Sequence, residues 1–109
     1  MSSRIQLLYF GGCPNYQEYL PRLRNMARNT AAAMTVELIE ITSEEDARAN
    51  RFLGSPTVRI DGCDVEPGAD SRTDFGVQCR LYRTESGWSG TPRDEWLVAA
   101  LAAAPERVG

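Results

Sequence analysis

The chain has no lysine and no histidine, and all twelve of its basic residues are arginine. That removes imidazole chemistry and the Schiff-base chemistry of a lysine amine. Reactive groups must come from Cys, Asp, Glu, Tyr, Ser, Thr or Arg. Cysteine is scarce and odd in number: Cys13, Cys63 and Cys79 cannot build a disulfide framework, so a reducing, cytoplasmic setting is expected rather than export. Their spacing fits no zinc motif, so no metal site and no cofactor are expected. Long apolar runs are also missing. No stretch reaches the roughly 18 apolar residues that a membrane helix requires, and no membrane association is expected. The run from Ile5 ends in Phe10-Gly11-Gly12-Cys13, the outline of a lipoprotein cleavage site. Gln6 interrupts it, however, and it is only about half the length of an export segment. A surplus of positive charge is absent as well. Twelve basic residues against fifteen acidic ones give a formal charge of -3, with no basic stripe, which points away from nucleic acid.

What is present is an ordinary globular composition. With 109 residues, 42% hydrophobic and 25% charged, one compact core is expected. Arg4 to Phe10 is short, apolar and stopped by Gly11-Gly12, the pattern of a strand buried on both faces. Cys13-Pro14 then opens a helix, since proline is favoured at the first helical position. Tyr16, Tyr19, Leu20, Leu23, Met26 and Ala27 follow at helical spacing, predicting a helix to about Ala33, kinked at Pro21. Thr35 to Ile41 predicts a second strand. Ser43 with Asp46 caps a short helix over Glu44 to Arg51, closed by Gly54.

Asp61-Gly62 is a two-residue hairpin signal between Thr57–Ile60 and Cys63–Glu66. Its register sets Ile60 opposite Cys63, Arg59 opposite Asp64, Val58 opposite Val65 and Thr57 opposite Glu66. One face is then apolar with Cys63 among core residues, and the other carries an Arg59–Asp64 pair. From Pro67 to Gly90 the pattern weakens, and Val77 to Arg83 is either a strand or an ordered loop. Thr91 as cap and Pro92 at the first position start a last helix, which Pro105 is expected to end.

Strand, helix, strand, helix, hairpin and helix (βαβαββα), with Gly11-Gly12-Cys13-Pro14-Asn15-Tyr16 at the first strand-to-helix turn and Gly54-Ser55-Pro56-Thr57-Val58 before the third strand, resembles the thioredoxin fold. The resemblance implies one α/β domain over residues 1–109, with a mixed four-stranded sheet and helices on both faces. More narrowly, Gly54 to Gly62, Asp64-Val65, Asp74-Phe75-Gly76 and Cys79-Arg80-Leu81-Tyr82 resemble small bacterial thioredoxin-like proteins, some labelled alkylmercury-lyase-like or DF-family. The resemblance implies an active-site thiol at Cys13, and substrate contacts at Pro14, Tyr16, Ser55 and Pro56. It also implies a cis Ser55–Pro56 bond that leaves the Ser55 N–H and C=O free for an extended substrate.

A helix N-terminus favours a thiolate, so Cys13 is expected to be the most readily alkylated thiol. The alternative is an inert cysteine filling the junction. Where a C-x-x-C pair would place its second thiol stands Tyr16, which leaves a monothiol site unless Cys79 folds back over it. Cys79, flanked by Gln78 and Arg80 and near Arg83, is expected to have a lowered pKa from the guanidinium, or else to be packed under the sheet.

Three functions stay open. The first is redox or thiol-transfer chemistry, in which Cys13 attacks a disulfide, peroxide or electrophile, on a small molecule or a protein, and Cys79 or an external thiol resolves the adduct. The second is a soft-metal or organomercurial handler, in which Cys13 and Cys79 hold the ion and Glu66, Asp70 or Asp74 supplies a proton. The third is a non-enzymatic binding module using the Ser55 backbone and the surface around Tyr16.

Overall fold

The apolar run near the start of the chain becomes a central strand, as its composition predicts. In the computed structural model, which describes residues 4–29, 35–85 and 87–108 and the side chains among them up to 102, β1 spans Ile5–Tyr9. It pairs in parallel with β2 (Val36–Glu40), Ile5 opposite Val36. On its other edge it runs antiparallel to β3 (Thr57–Ile60), Ile5 opposite Ile60. A two-residue β4 (Cys63–Asp64) closes a mixed four-stranded sheet in the order β2-β1-β3-β4.

Alternation along β1 sorts the core onto two faces. Ile5 and Leu7 lie on one side with Val58, Ile60 and Val65, where they meet Tyr19, Leu23 and Ala27 of α1 (Pro14–Arg28) and Leu97 of α3 (Asp94–Val108). Leu8 points the other way, to Ile41, Phe52 and Ala47 of α2 (Glu44–Ala49). Helices therefore cover both faces. The α2 cap is formed as its sequence dictates, with Ser43 Oγ accepting from the Asp46 N–H at 3.0 Å. Among the described residues, no helix is long and apolar enough to cross a membrane.

Several elements differ from expectation. The first helix ends at Arg28, and the predicted continuation over residues 30 to Ala33 lies outside the described residues. Pro21 sits within this helix without ending it. Pro105 does not end α3, which runs to Val108; a proline in a last turn forfeits only one backbone bond. That helix also starts at Asp94, two residues after Pro92. The stretch after Val77 is neither one strand nor plain loop. Cys79 makes a single parallel bridge with Ser55, and β5 (Tyr82–Thr84) pairs with β6 (Gly87–Ser89) as a separate hairpin.

The Asp61-Gly62 hairpin has the predicted register, Ile60 opposite Cys63 and Arg59 opposite Asp64. Both turn residues take positive φ, 53° and 83°, as a primed hairpin turn requires. Yet Cys63 is exposed rather than packed in the core. Register decides which face a side chain shares, not whether anything lies above it. Here β4 is the short outer strand, with no neighbour beyond it in the sheet.

Candidate functional site

Cys13 occupies the turn between β1 and α1, its N–H donating to Phe10 O at 3.1 Å. Its backbone is extended and Pro14 follows at the first helical position. The thiol, however, takes no capping bond from the helix's first N–H groups, and Pro14 has none to offer. Instead the Cys13 side chain points inward, 1% exposed, and donates to Ser55 O at 3.6 Å. The sulfur thus bonds across to the loop before β3 and not to its own helix. Tyr16 stacks on Tyr9 with ring centroids 4.1 Å apart, while Pro14 is exposed beside the turn.

The Ser55–Pro56 bond is cis, and both residues are buried. The Ser55 backbone is not free. Its N–H donates to Gln78 O at 2.8 Å, and its C=O accepts from the Arg80 N–H at 3.0 Å. That pairing places Cys79 opposite Ser55, whose carbonyl also accepts from the Cys13 thiol, so the two cysteines are neighbours about Ser55. The structure therefore assembles Cys13, Cys79, Ser55 and Pro56 into one site, with Pro14 and Tyr16 on the adjoining turn. Both sulfurs carry free thiols.

The expected lowering of the Cys79 pKa is reversed. Partial desolvation pushes this thiol up, and the neighbouring Cys13 adds to the rise. Arg80 does not help because consecutive side chains of an extended segment point in opposite directions. With Cys79 turned to Cys13, the Arg80 guanidinium enters the interior. There it meets Asp64 at 2.7 and 3.1 Å, Glu66 at 2.8 Å and Thr57 Oγ1 at 3.0 Å. It also lies 4.5 Å from the centre of the Tyr82 ring, and the Tyr82 hydroxyl donates to Pro56 O. A buried guanidinium costs several kcal/mol in lost hydration unless its partners are in place. Two carboxylates and a hydroxyl supply them to the two terminal nitrogens, while Nε is buried without a partner among the described residues.

This network is the feature that sequence reasoning missed. Asp64 stands opposite Arg59 on the hairpin, as predicted, but its carboxylate bonds Arg80, and the Arg59 guanidinium turns to the carbonyls of Asn50 and Arg51 at 2.6 and 3.1 Å. A signal did exist. Glu66 and Asp64 lie two apart on the polar face of a predicted strand, so both carboxylates share one side and call for a cation.

Two of the three carboxylates considered as proton donors are ion-paired. Glu66 bonds Arg80 and Arg72. The hydrogen bonds from Arg72 hold the Asp74 carboxyl below its usual value, hence ionised near neutral pH. Asp70 is exposed. Among the described residues there is no cluster of three or more metal-ligating side chains. A cavity of about 390 Å³ lined by Arg51, Arg59, Cys63 and Phe75 opens on the hairpin's polar side. Neither Cys13 nor Cys79 lines it. Comparison with known proteins finds no matching family model, curated protein or solved structure.

Proposed function

We propose that the chain is a thioredoxin-like thiol protein that performs redox or thiol-transfer chemistry through Cys13 and Cys79. The observation that carries this is the meeting of two free thiols, 66 positions apart in the chain, at one residue: the Cys13 thiol donates to Ser55 O at 3.6 Å, and Cys79 bridges Ser55. A thiol pair in contact can close to a disulfide and reopen, releasing or accepting two electrons. The strand order, the parallel β1–β2 crossover and helices on both sheet faces support the thioredoxin-like reading. Tyr16 closes the local route to a disulfide, and Cys79 supplies a distant one.

The test is mild oxidation with diamide followed by peptide mapping without reductant. The expected product links Cys13 to Cys79 and leaves Cys63 free. A link involving Cys63, or none at all, overturns the proposal.

A second reading draws on the same contact. Two sulfurs without a third ligand suit a soft ion that accepts linear coordination, such as mercury(II) or copper(I). The protonation of a carbon–metal bond has less support, because Glu66 and Asp74 are ion-paired. A pure peptide-binding module has less still, because the Ser55 backbone groups are already paired.

A further inference from the structure

We infer that the Cys13–Cys79 pair takes small disulfides rather than extended peptides, and that they react first at Cys79. This rests on the thiol-exchange function proposed above and adds the substrate class and the order of attack.

An extended peptide docks on an open edge by pairing its backbone with free N–H and C=O groups. The edge beside Cys13, residues 52–55, has most of its backbone groups already taken. Phe52 O accepts from the Gly76 N–H at 3.0 Å, and Leu53 O from Gln78 Nε2 at 3.2 Å. Ser55 uses its N–H on Gln78 O and its C=O on the Arg80 N–H. The chain's own segment from Gly76 to Arg80 lies where a substrate strand would.

That segment is fastened. Lifting it would pull Arg80 away from Asp64, Glu66 and Thr57, stripping the partly buried Asp64 carboxylate of its guanidinium and leaving Glu66 with Arg72 alone. Its fit against the edge also depends on Gly54. A Cβ there would stand 2.9 Å from Arg80 Cβ and 3.0 Å from Gln78 O, closer than packed atoms approach.

What remains open to solvent is Cys79. Cys79 is exposed, whereas Cys13 is 1% exposed. A small disulfide needs to reach one sulfur and no backbone. The Cys79 thiol loses its proton to water and attacks one sulfur of the disulfide. A Cys79–substrate S–S bond forms, and the other half leaves as a thiolate, which takes up a proton. Cys13 then gives up its proton and attacks the Cys79 sulfur, forming the Cys13–Cys79 disulfide and releasing the second half as a thiol. Two electrons pass from the protein thiols to the substrate. Two molecules of a low-molecular-weight thiol return them, leaving as their own disulfide.

The experiment uses the full chain carrying Cys63→Ser, with 2-hydroxyethyl disulfide as the small probe. The peptide probe is the symmetric disulfide of an uncharged heptapeptide with a central cysteine. In the Cys13→Ser background the small probe is expected to remain as a mixed disulfide on Cys79. With Cys79→Ser instead, little adduct is expected on Cys13. The peptide probe is expected to react no faster than the small one. An adduct confined to Cys13 overturns the inference. So does a peptide rate greater by about tenfold or more, the gain from making one or two new backbone hydrogen bonds. If neither probe produces the Cys13–Cys79 disulfide, thiol exchange itself fails. If the disulfide forms but the adduct sits on Cys13, only the order of attack fails.

Discussion

The three thiols differ first in exposure. Cys13 stands where a helix N-terminus would favour a thiolate, but its side chain is buried and bonded to a carbonyl oxygen, whereas Cys63 and Cys79 are exposed. Alkylation of the folded protein by iodoacetamide is therefore expected to be slowest at Cys13, the reverse of the order its sequence position implies. Mass mapping at short reaction times checks this, and fastest labelling at Cys13 would show that the junction opens in solution. Cys79 adds a pH signature. Its thiol is pushed up by burial and by Cys13, so less of it is thiolate near neutral pH than in an ordinary cysteine. Its labelling should keep climbing with pH beyond the range around 8.5 in which an unperturbed thiol ionises. The sign for stability follows: the folded state prefers the protonated thiol, so this contribution is complete below the unfolded pKa and is lost as pH rises through the folded one. Cys13 was legible as a candidate because Gly-Gly-Cys-Pro marks a strand-to-helix junction. Where its sulfur points was not, because nothing local says that a carbonyl from residue 55 comes to meet it.

Among the elements, the segment after Val77 departs furthest from what its sequence suggests. Its alternation was visible, but alternation alone leaves open which set of side chains faces inward. The structure puts Arg80 inside and Cys79 outside because a pair of carboxylates two apart on the hairpin, Asp64 and Glu66, takes the guanidinium. The hairpin itself was readable from Asp61-Gly62, since both turn positions need φ values that few residues adopt. Two glycines allow the packing of the segment to be measured. Gly62 has φ of +83° and nothing within 4 Å of an added Cβ, so Gly62→Ala should cost only the left-handed backbone penalty, about 1–2 kcal/mol. Gly54 combines φ of +128° with a 2.9 Å clash against Arg80. Gly54→Ala is expected to destabilise the fold by more than Gly62→Ala and to slow formation of the Cys13–Cys79 disulfide by displacing the segment that carries Cys79. Urea denaturation of both variants, with oxidation kinetics alongside, makes the comparison. Equal costs with unchanged oxidation would mean that the segment is not held against Gly54.

At the scale of the whole molecule, the order of the larger elements followed from the chain because each carries its own punctuation: Gly-Gly after β1, the Ser43 cap of α2, and the hairpin turn. The closure between distant parts did not, because loop length permits a long return without saying where it lands. That closure joins residue 13 to residue 79, and its energetic consequence can be worked out. A covalent link between two such positions restricts the unfolded chain, and for a loop of this size the entropy model gives about 4 kcal/mol of stabilisation. The figure holds only if the folded state already presents the sulfurs at bonding range, since strain subtracts from it directly. Ser55, whose carbonyl accepts from the Cys13 thiol and whose backbone bridges Cys79, brings the two positions together. In a Cys63→Ser background, the oxidised protein is therefore expected to unfold at markedly higher urea than the reduced one. By linkage, the folded state should hold the disulfide more firmly against a thiol buffer than the unfolded chain does, and by the same margin. Equilibration in mixtures of thiol and disulfide, with and without denaturant, measures both sides of the cycle. An oxidised form less stable than the reduced one would mean that the bond distorts the site, and the pair would then act as two neighbouring thiols rather than as a reversible disulfide.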